Sequence, residues 1–183
     1  MNNKEIEVKF KITSQIKEKI LQDLKTNNAK HISTFNLIDT YYIPNFKSFE
    51  KDGKTIECVR LREQNNTSVL GYKKIHYEAN PVYCDEYETI VSSKEETEKI
   101  LFALGFTTQM IIDKTRDSYQ LNNFRFDFDS VKNLGELLEV ELTQNNADID
   151  DIFKFLKKYN LTQKDVTYEG IQVLMKKALQ NKK

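Results

Sequence analysis

A chain of 183 residues, 39% hydrophobic and 31% charged, carries enough apolar material for one substantial core, so global disorder is excluded and one domain is expected. Lys plus Arg and Asp plus Glu number 28 each, which argues against nucleic-acid binding through bulk positive charge. The apolar runs are too short to span a bilayer, no signal-peptide core is evident, and Cys58 and Cys84 have neither disulfide-framework nor zinc spacing, so a reduced, cytoplasmic protein with no membrane partner is expected.

The opening stretch from Lys4 to Ile12 alternates strictly. Ile6, Val8, Phe10 and Ile12 fall on one face of a strand, and Glu5, Glu7, Lys9 and Lys11 on the other. Thr13 or Ser14 then caps a helix whose apolar stripe is Ile16, Ile20, Leu21 and Leu24. His31 to Ile43 is β-prone and ends at Pro44. After a loop with a turn at Lys51 to Lys54, Thr55 to Glu63 is a strand with Arg60 and Arg62 on one face. Val69 to Ile75 returns from an Asn65-Asn66 turn with Lys73 and Lys74 at its centre. Val82 to Val91 follows, with Glu86 and Glu88 on a common face. Ser92 or Ser93 caps a second helix, and Gly105 stops it.

Phe106 to Leu121 reads as a long strand, with Lys114 and Arg116 on one side. Asn122-Asn123 is a turn. Phe124, Phe126 and Phe128 then alternate with Arg125, Asp127 and Asp129. Leu134 to Leu142 sets Glu139 and Glu141 against Leu138, Val140 and Leu142. Helices are predicted from Ile149 to Tyr159 and from about Tyr168 to Leu179, and a lysine-rich tail closes the chain. The count is about eight strands and four helices, an α+β composition without a regular βαβ rhythm and without a glycine-rich phosphate loop. His31 and His76 have no spacing of a metal pair and no nucleophile motif beside them.

The charged period-two faces have two readings. They are the solvated outside of an ordinary barrel, or they line the inside of one whose apolar outer face is covered by the amphipathic helices. Pattern alone does not choose. Chemistry leans to the second, because carboxylates gathered beside Lys and Arg suit a divalent cation and phosphate oxygens.

Several motifs, in order, resemble those of the CYTH domain, or triphosphate tunnel metalloenzymes. They are Glu5-x-Glu7-x-Lys9; Asp39-Thr40-Tyr41-Tyr42; Val59-Arg60-Leu61-Arg62; Tyr72-Lys73; Asp85-Glu86-Tyr87-Glu88; Lys114-Thr115-Arg116 with Tyr119; Asp129 to Gly135 running on to Glu139-Val140-Glu141; and Thr167-Tyr168. The resemblance covers nearly the whole chain. It implies a single domain over residues 1–183, built as a closed eight-stranded antiparallel β-barrel, a tunnel with covering helices. It implies Mg²⁺ or Mn²⁺ held by Glu5, Glu7, Glu139 and Glu141. Phosphate would be bound by Lys9, Arg60, Arg62, Lys73, Lys114 and Arg116, with Glu86, Glu88 and Asp129 as supporting acids. Two positions depart from the family pattern: Cys84 stands where an Arg is common, and Ile43 where an Asp often follows Tyr-Tyr.

The implied substrate is ATP or another triphosphate. The class IV adenylyl cyclase branch, in which the ribose hydroxyl of ATP attacks the α-phosphorus and pyrophosphate leaves, is favoured by chain length, the Lys114-x-Arg116-x-x-Tyr119 strand, the Asp129 to Glu139 spacing and Tyr168. There Lys114 and Arg116 would be catalytic. The triphosphatase branch remains as the alternative, with Lys9 and Tyr41 activating water. A polyphosphate-binding module without turnover is the third reading. Related cyclases suggest a homodimer.

Overall fold

The computed structural model describes residues 4–144 and 148–180. In chain order the elements are β1 (Lys4–Glu5), β2 (Glu7–Ile12), α1 (Ser14–Thr26), β3 (Lys30–Pro44), β4 (Glu50–Lys51), β5 (Lys54–Thr55), β6 (Glu57–Gln64), β7 (Thr67–His76), β8 (Tyr83–Val91), α2 (Lys94–Ala103), β9 (Phe106–Leu121), β10 (Phe124–Val131), β11 (Gly135–Leu142), α3 (Ile149–Leu156), β12 (Val166–Thr167) and α4 (Ile171–Gln180). Short 3₁₀ turns cover Lys157–Tyr159 and Gln163–Asp165. The lysine-rich tail expected after the last helix lies outside the described residues.

The chain divides into two compact units. Unit 1 takes Lys4, 36–113 and 169–180 of the described residues, and unit 2 takes 5–35 and 114–168. β3 and β9 each begin in one unit and end in the other.

In hydrogen-bonded order the main sheet runs β1-β8-β7-β6-β3-β9-β10-β11-β2-β12, and β4-β5 form a separate pair. The pairings of β6 with β3 and β7, of β7 with β8, of β10 with β9 and β11, and of β2 with β11 and β12 are antiparallel. The sheet is therefore antiparallel as expected, but the closed barrel of eight strands is corrected. The order holds ten strands and has β1 and β12 as its ends. The local reason is that β12 takes the second edge of β2 through Val166↔Phe10 and Thr167↔Lys9, while β1 stands beside β8.

In unit 2 the strand alternation becomes a sided sheet. Val8, Phe10, Ile12, Phe126, Phe128, Leu138 and Val140 are buried together with Ile20 and Leu24 of α1 and Ile152 and Leu156 of α3. Burying each such side chain is worth about 1.5–3 kcal/mol, so this face sets which way the strands turn. Thr13 caps α1 by accepting from the Ile16 amide, and Asp148 caps α3 by accepting from the Asp150 amide. In unit 1, Val59 and Leu61 of β6 and Tyr42 of β3 pack with Phe49 and with Leu101 of α2. Ser93 caps α2, and Gly105 ends it at a φ of +87°, where a Cβ would meet Asn45 Oδ1 at 2.6 Å.

Turn chemistry fixes the registers. Asn65 and Asn66 both take positive φ and join Gln64 to Thr67, the geometry of a tight hairpin. The last two predicted helices are shortened: α3 stops at Leu156 and tightens into a 3₁₀ turn, and α4 starts at Ile171, not near Tyr168.

Candidate functional site

In each unit the apolar side of the strands packs on a helix, and charged side chains of the other side are also shielded from water, so a fully solvated charged face is ruled out. The side chains of Lys114 and Glu139 are 1% and 10% exposed, and that of Arg62 is 12%. Buried charges must be paired, and they are.

Unit 2 gathers Glu7, Lys9, Lys114, Arg116, Asp129, Glu139 and Glu141 from β2, β9, β10 and β11. The register sets Lys9 beside Glu139, Glu7 beside Glu141, and Arg116 beside Asp129. Lys114 Nζ donates to Asp129 Oδ2 at 2.7 Å. Arg116 grips the same carboxylate with two nitrogens, at 2.6 Å each. Its Nη1 reaches Asp127 at 2.9 Å, and its Nη2 also donates to Glu139 at 2.5 Å. Lys9 Nζ lies 3.1 Å from Glu139 and 3.8 Å from Glu7. Burial alone would push the Asp129 carboxyl up, but Arg116 and Lys114 beside it hold it below the usual carboxylate range. Burial likewise opposes the Arg116 charge, and Asp129 and Glu139 outweigh it.

Within this one charged cluster, among the described residues, the balance of charge is uneven. Four cations (Lys9, Lys114, Arg116 and Arg125) face six carboxylates (Glu5, Glu7, Asp127, Asp129, Glu139 and Glu141). The excess falls at the Glu5, Glu7 and Glu141 end. There the Glu141 carboxyl is pushed up to about 7 by burial and then by the Glu5 carboxylate, with Arg125 opposing and Glu7 adding to the rise. Hard oxygen donors that repel one another in this way fit a divalent cation. Among the described residues no three acidic, His or Cys groups already converge as a metal cage.

Unit 1 carries Tyr41, Arg60, Arg62, Lys73, Glu86 and Glu88 on β3, β6, β7 and β8. Asp39, fully buried, receives Arg62 through Nε at 2.7 Å and Nη2 at 2.8 Å. Arg60 Nη2 donates to Glu88 at 2.6 Å and lies 3.6 Å from Glu86, which also holds Lys73 at 3.0 Å. The Arg60–Glu88 pair passes over β7 at Gly71, the cross-strand partner of both. A Cβ there would lie 3.3 Å from Glu88 Oε1. The Tyr41 hydroxyl is held above its ordinary value by burial and then by Asp39, so it stays a phenol. Burial also pushes the Cys58 thiol up. Cys84 is buried two residues before Glu86, so no guanidinium stands where the family often has one.

Sequence reasoning left four residues out of the site. Asp39 is the anchor of Arg62. Asp127 accepts from Arg116, Ser118 and Arg125. The signal for Asp127 and Arg125 was their place in the same alternation as Asp129. Ser118 continues the face of Lys114 and Arg116.

Comparison with known proteins identifies the fold and the family. A protein of Methanocaldococcus jannaschii, provisionally named an adenylate cyclase, is 25% identical over 167 residues, 88% of this chain and 93% of its own length. A Pyrococcus horikoshii structure superposes with a TM-score of 0.76 at 26% identity, covering 93% of this chain and 99% of that one. A Hippeastrum structure, described as a provisional adenylyl cyclase with a dominant triphosphatase activity, shares the fold at a TM-score of 0.67 and 13% identity, covering 95% of each chain. The family profile described as the CYTH domain matches residues 3–169, and the chain belongs to that family.

Proposed function

We propose that this chain is a metal-dependent enzyme acting on a triphosphate, with the class IV adenylyl cyclase reaction, ATP to cyclic AMP and pyrophosphate, as its chemistry. The observation that carries the reading is the buried Lys114–Arg116–Asp129 group, which sets two fixed cations beside an acid-rich end. Two cations held rigidly by a buried carboxylate are preorganised to receive charge that develops on phosphate oxygens as a bond breaks. The family implies a divalent cation, which Glu5, Glu7, Glu139 and Glu141 would hold and which would neutralise phosphate charge.

Lys114 and Arg116 take the roles of charge stabilisers at the reacting phosphorus. Lys9, between Glu7 and Glu139, binds phosphate. Arg60, Arg62 and Lys73 bind phosphate oxygens as well, with Glu86 and Glu88 holding Arg60 and Lys73 in place until a phosphate replaces them. The name of the M. jannaschii relative supports the cyclase reading.

One observation favours a second reading. The Hippeastrum protein shares the fold and is described by its triphosphatase activity, so hydrolysis at the terminal phosphorus, with the water-activating roles given to Lys9 and Tyr41, is the alternative.

A product assay separates the two. The purified protein is incubated with ATP and, in parallel, with inorganic triphosphate, each with Mg²⁺ or Mn²⁺. Cyclic AMP plus pyrophosphate is the expected outcome. Orthophosphate without cyclic AMP moves the assignment to the triphosphatase. No product from either overturns the catalytic reading and leaves a polyphosphate-binding module.

A further inference from the structure

Arg125 belongs to none of the motifs shared with the family, yet it occupies a distinctive position in unit 2. It is the second residue of β10 and the cross-strand partner of Glu141, which in turn partners Glu7 on β2. Its guanidinium is anchored on one side only. Nε donates to Asp127 Oδ1 at 3.0 Å, and Nη2 lies 2.8 Å from Asp127 Oδ2. Asp127 is itself buried and held by Arg116 at 2.9 Å and by Ser118 Oγ at 2.6 Å, so the anchor is stiff. The remaining nitrogen, Nη1, stands 3.5 Å from Glu141 Oε2. At that separation it acts by charge and makes no short hydrogen bond.

A positive group therefore stands permanently at the edge of the carboxylates best suited to a divalent cation. A bare ion approaching Glu5, Glu7 and Glu141 meets its repulsion. An ion that arrives with a polyphosphate does not meet it in the same way, because a phosphate oxygen gives the remaining Nη1 a charged acceptor. We propose that Arg125 is a resident counter-ion that lowers the affinity of the substrate-free site for a divalent cation and couples entry of that cation to entry of the polyphosphate. The inference rests on the metal-dependent triphosphate reading above. The coupling is reciprocal: the metal raises phosphate affinity by the factor that phosphate raises metal affinity.

The test is calorimetric titration of Mn²⁺ into the substrate-free protein, and of a methylene-bridged triphosphate analogue with and without Mn²⁺. Wild type is compared with R125Q and R125K, and R125M serves as a second charge-removing variant if R125Q does not fold. Removing the charge is expected to tighten Mn²⁺ binding without analogue by about five- to tenfold and to shrink the coupling factor. R125K keeps the charge but loses the bidentate grip on Asp127, and it stays near wild type. A merely structural Arg125 would instead leave R125K impaired along with R125Q. Mn²⁺ affinity in the charge-removing variants that equals or falls below a measurable wild-type value overturns the inference and leaves the function untouched. No Mn²⁺ binding in any variant, with or without analogue, overturns the metal-dependent reading itself.

Discussion

The two units carry charged faces of the same origin and different balance. In unit 1 three cations, Arg60, Arg62 and Lys73, meet three carboxylates, Asp39, Glu86 and Glu88. In unit 2 four cations meet six carboxylates, and the pairs are drier. The Lys114 and Asp129 side chains are 1% and 0% exposed, whereas Glu88 is 41% exposed. A balanced, half-wet face can release its acids to water when an anion arrives, and so suits phosphate exchange. The dry Lys114–Asp129 group cannot rearrange cheaply, which suits a fixed stabilising group, and the wetter acid-rich end at Glu7 and Glu141, 25% and 27% exposed, suits a cation. The same alternation of residues thus yields two kinds of site, and the difference lies in burial and in the count of carboxylates.

The largest stability effect is expected where a buried network loses its hub. Asp129→Ala strands Lys114 and Arg116 in a dry environment and should destabilise the protein by about 3–5 kcal/mol in chemical denaturation. Asp39→Ala removes the bidentate partner of Arg62 in unit 1. It strands one guanidinium where Asp129→Ala strands two cations, so about 1–3 kcal/mol is expected. Equal losses in the two variants would erase the contrast between the units.

Arg60→Ala should lower kcat/KM by about 10- to 100-fold through KM, because it removes phosphate binding while leaving the unit 2 group whole. A loss confined to kcat would move Arg60 into the chemical step. The smallest effect is expected at Gly71→Ala. The added methyl lies 3.3 Å from the end of the Glu88 side chain, which is free to give, so stability should change by less than about 1 kcal/mol. KM should shift a few-fold as the Arg60–Glu88 pair is displaced. A large stability loss would show that this pair is rigid, as in unit 2.

How much of this was legible beforehand depended on periodicity. Phe106–Leu121 was read to the residue because sixteen residues of alternation end at an asparagine turn, and Asn122 indeed takes positive φ. The helix caps were legible to within one residue, Thr13 or Ser14 and Ser92 or Ser93, and the structure uses Thr13 and Ser93. The two-residue strands Lys4–Glu5, Glu50–Lys51, Lys54–Thr55 and Val166–Thr167 were not separately legible, since two residues carry no period of their own. Val166–Thr167 matters most, because it takes the edge of β2 and opens the expected closed order.

The direction of the charged faces was equally hidden, because a period of two names two faces and does not say which is inside. Packing of Ile20, Leu24, Ile152 and Leu156 against Val8, Phe10 and Phe126 settles it for unit 2. The proposed ligand groups were visible as alternating acids and bases. Their supports were harder to see, because Asp127 and Asp39 acquire meaning only through the guanidinium that each one grips.

The central claim is that the acid-rich face of unit 2 drives turnover of a triphosphate. The most direct measurement is the turnover of ATP and of inorganic triphosphate by the double variant Glu5→Gln and Glu7→Gln, with circular dichroism and the thermal midpoint recorded on the same sample. The account predicts a rate at least about a thousandfold below wild type with the fold intact, since the exchange removes charge and keeps shape. Retained turnover in a folded double variant would contradict it.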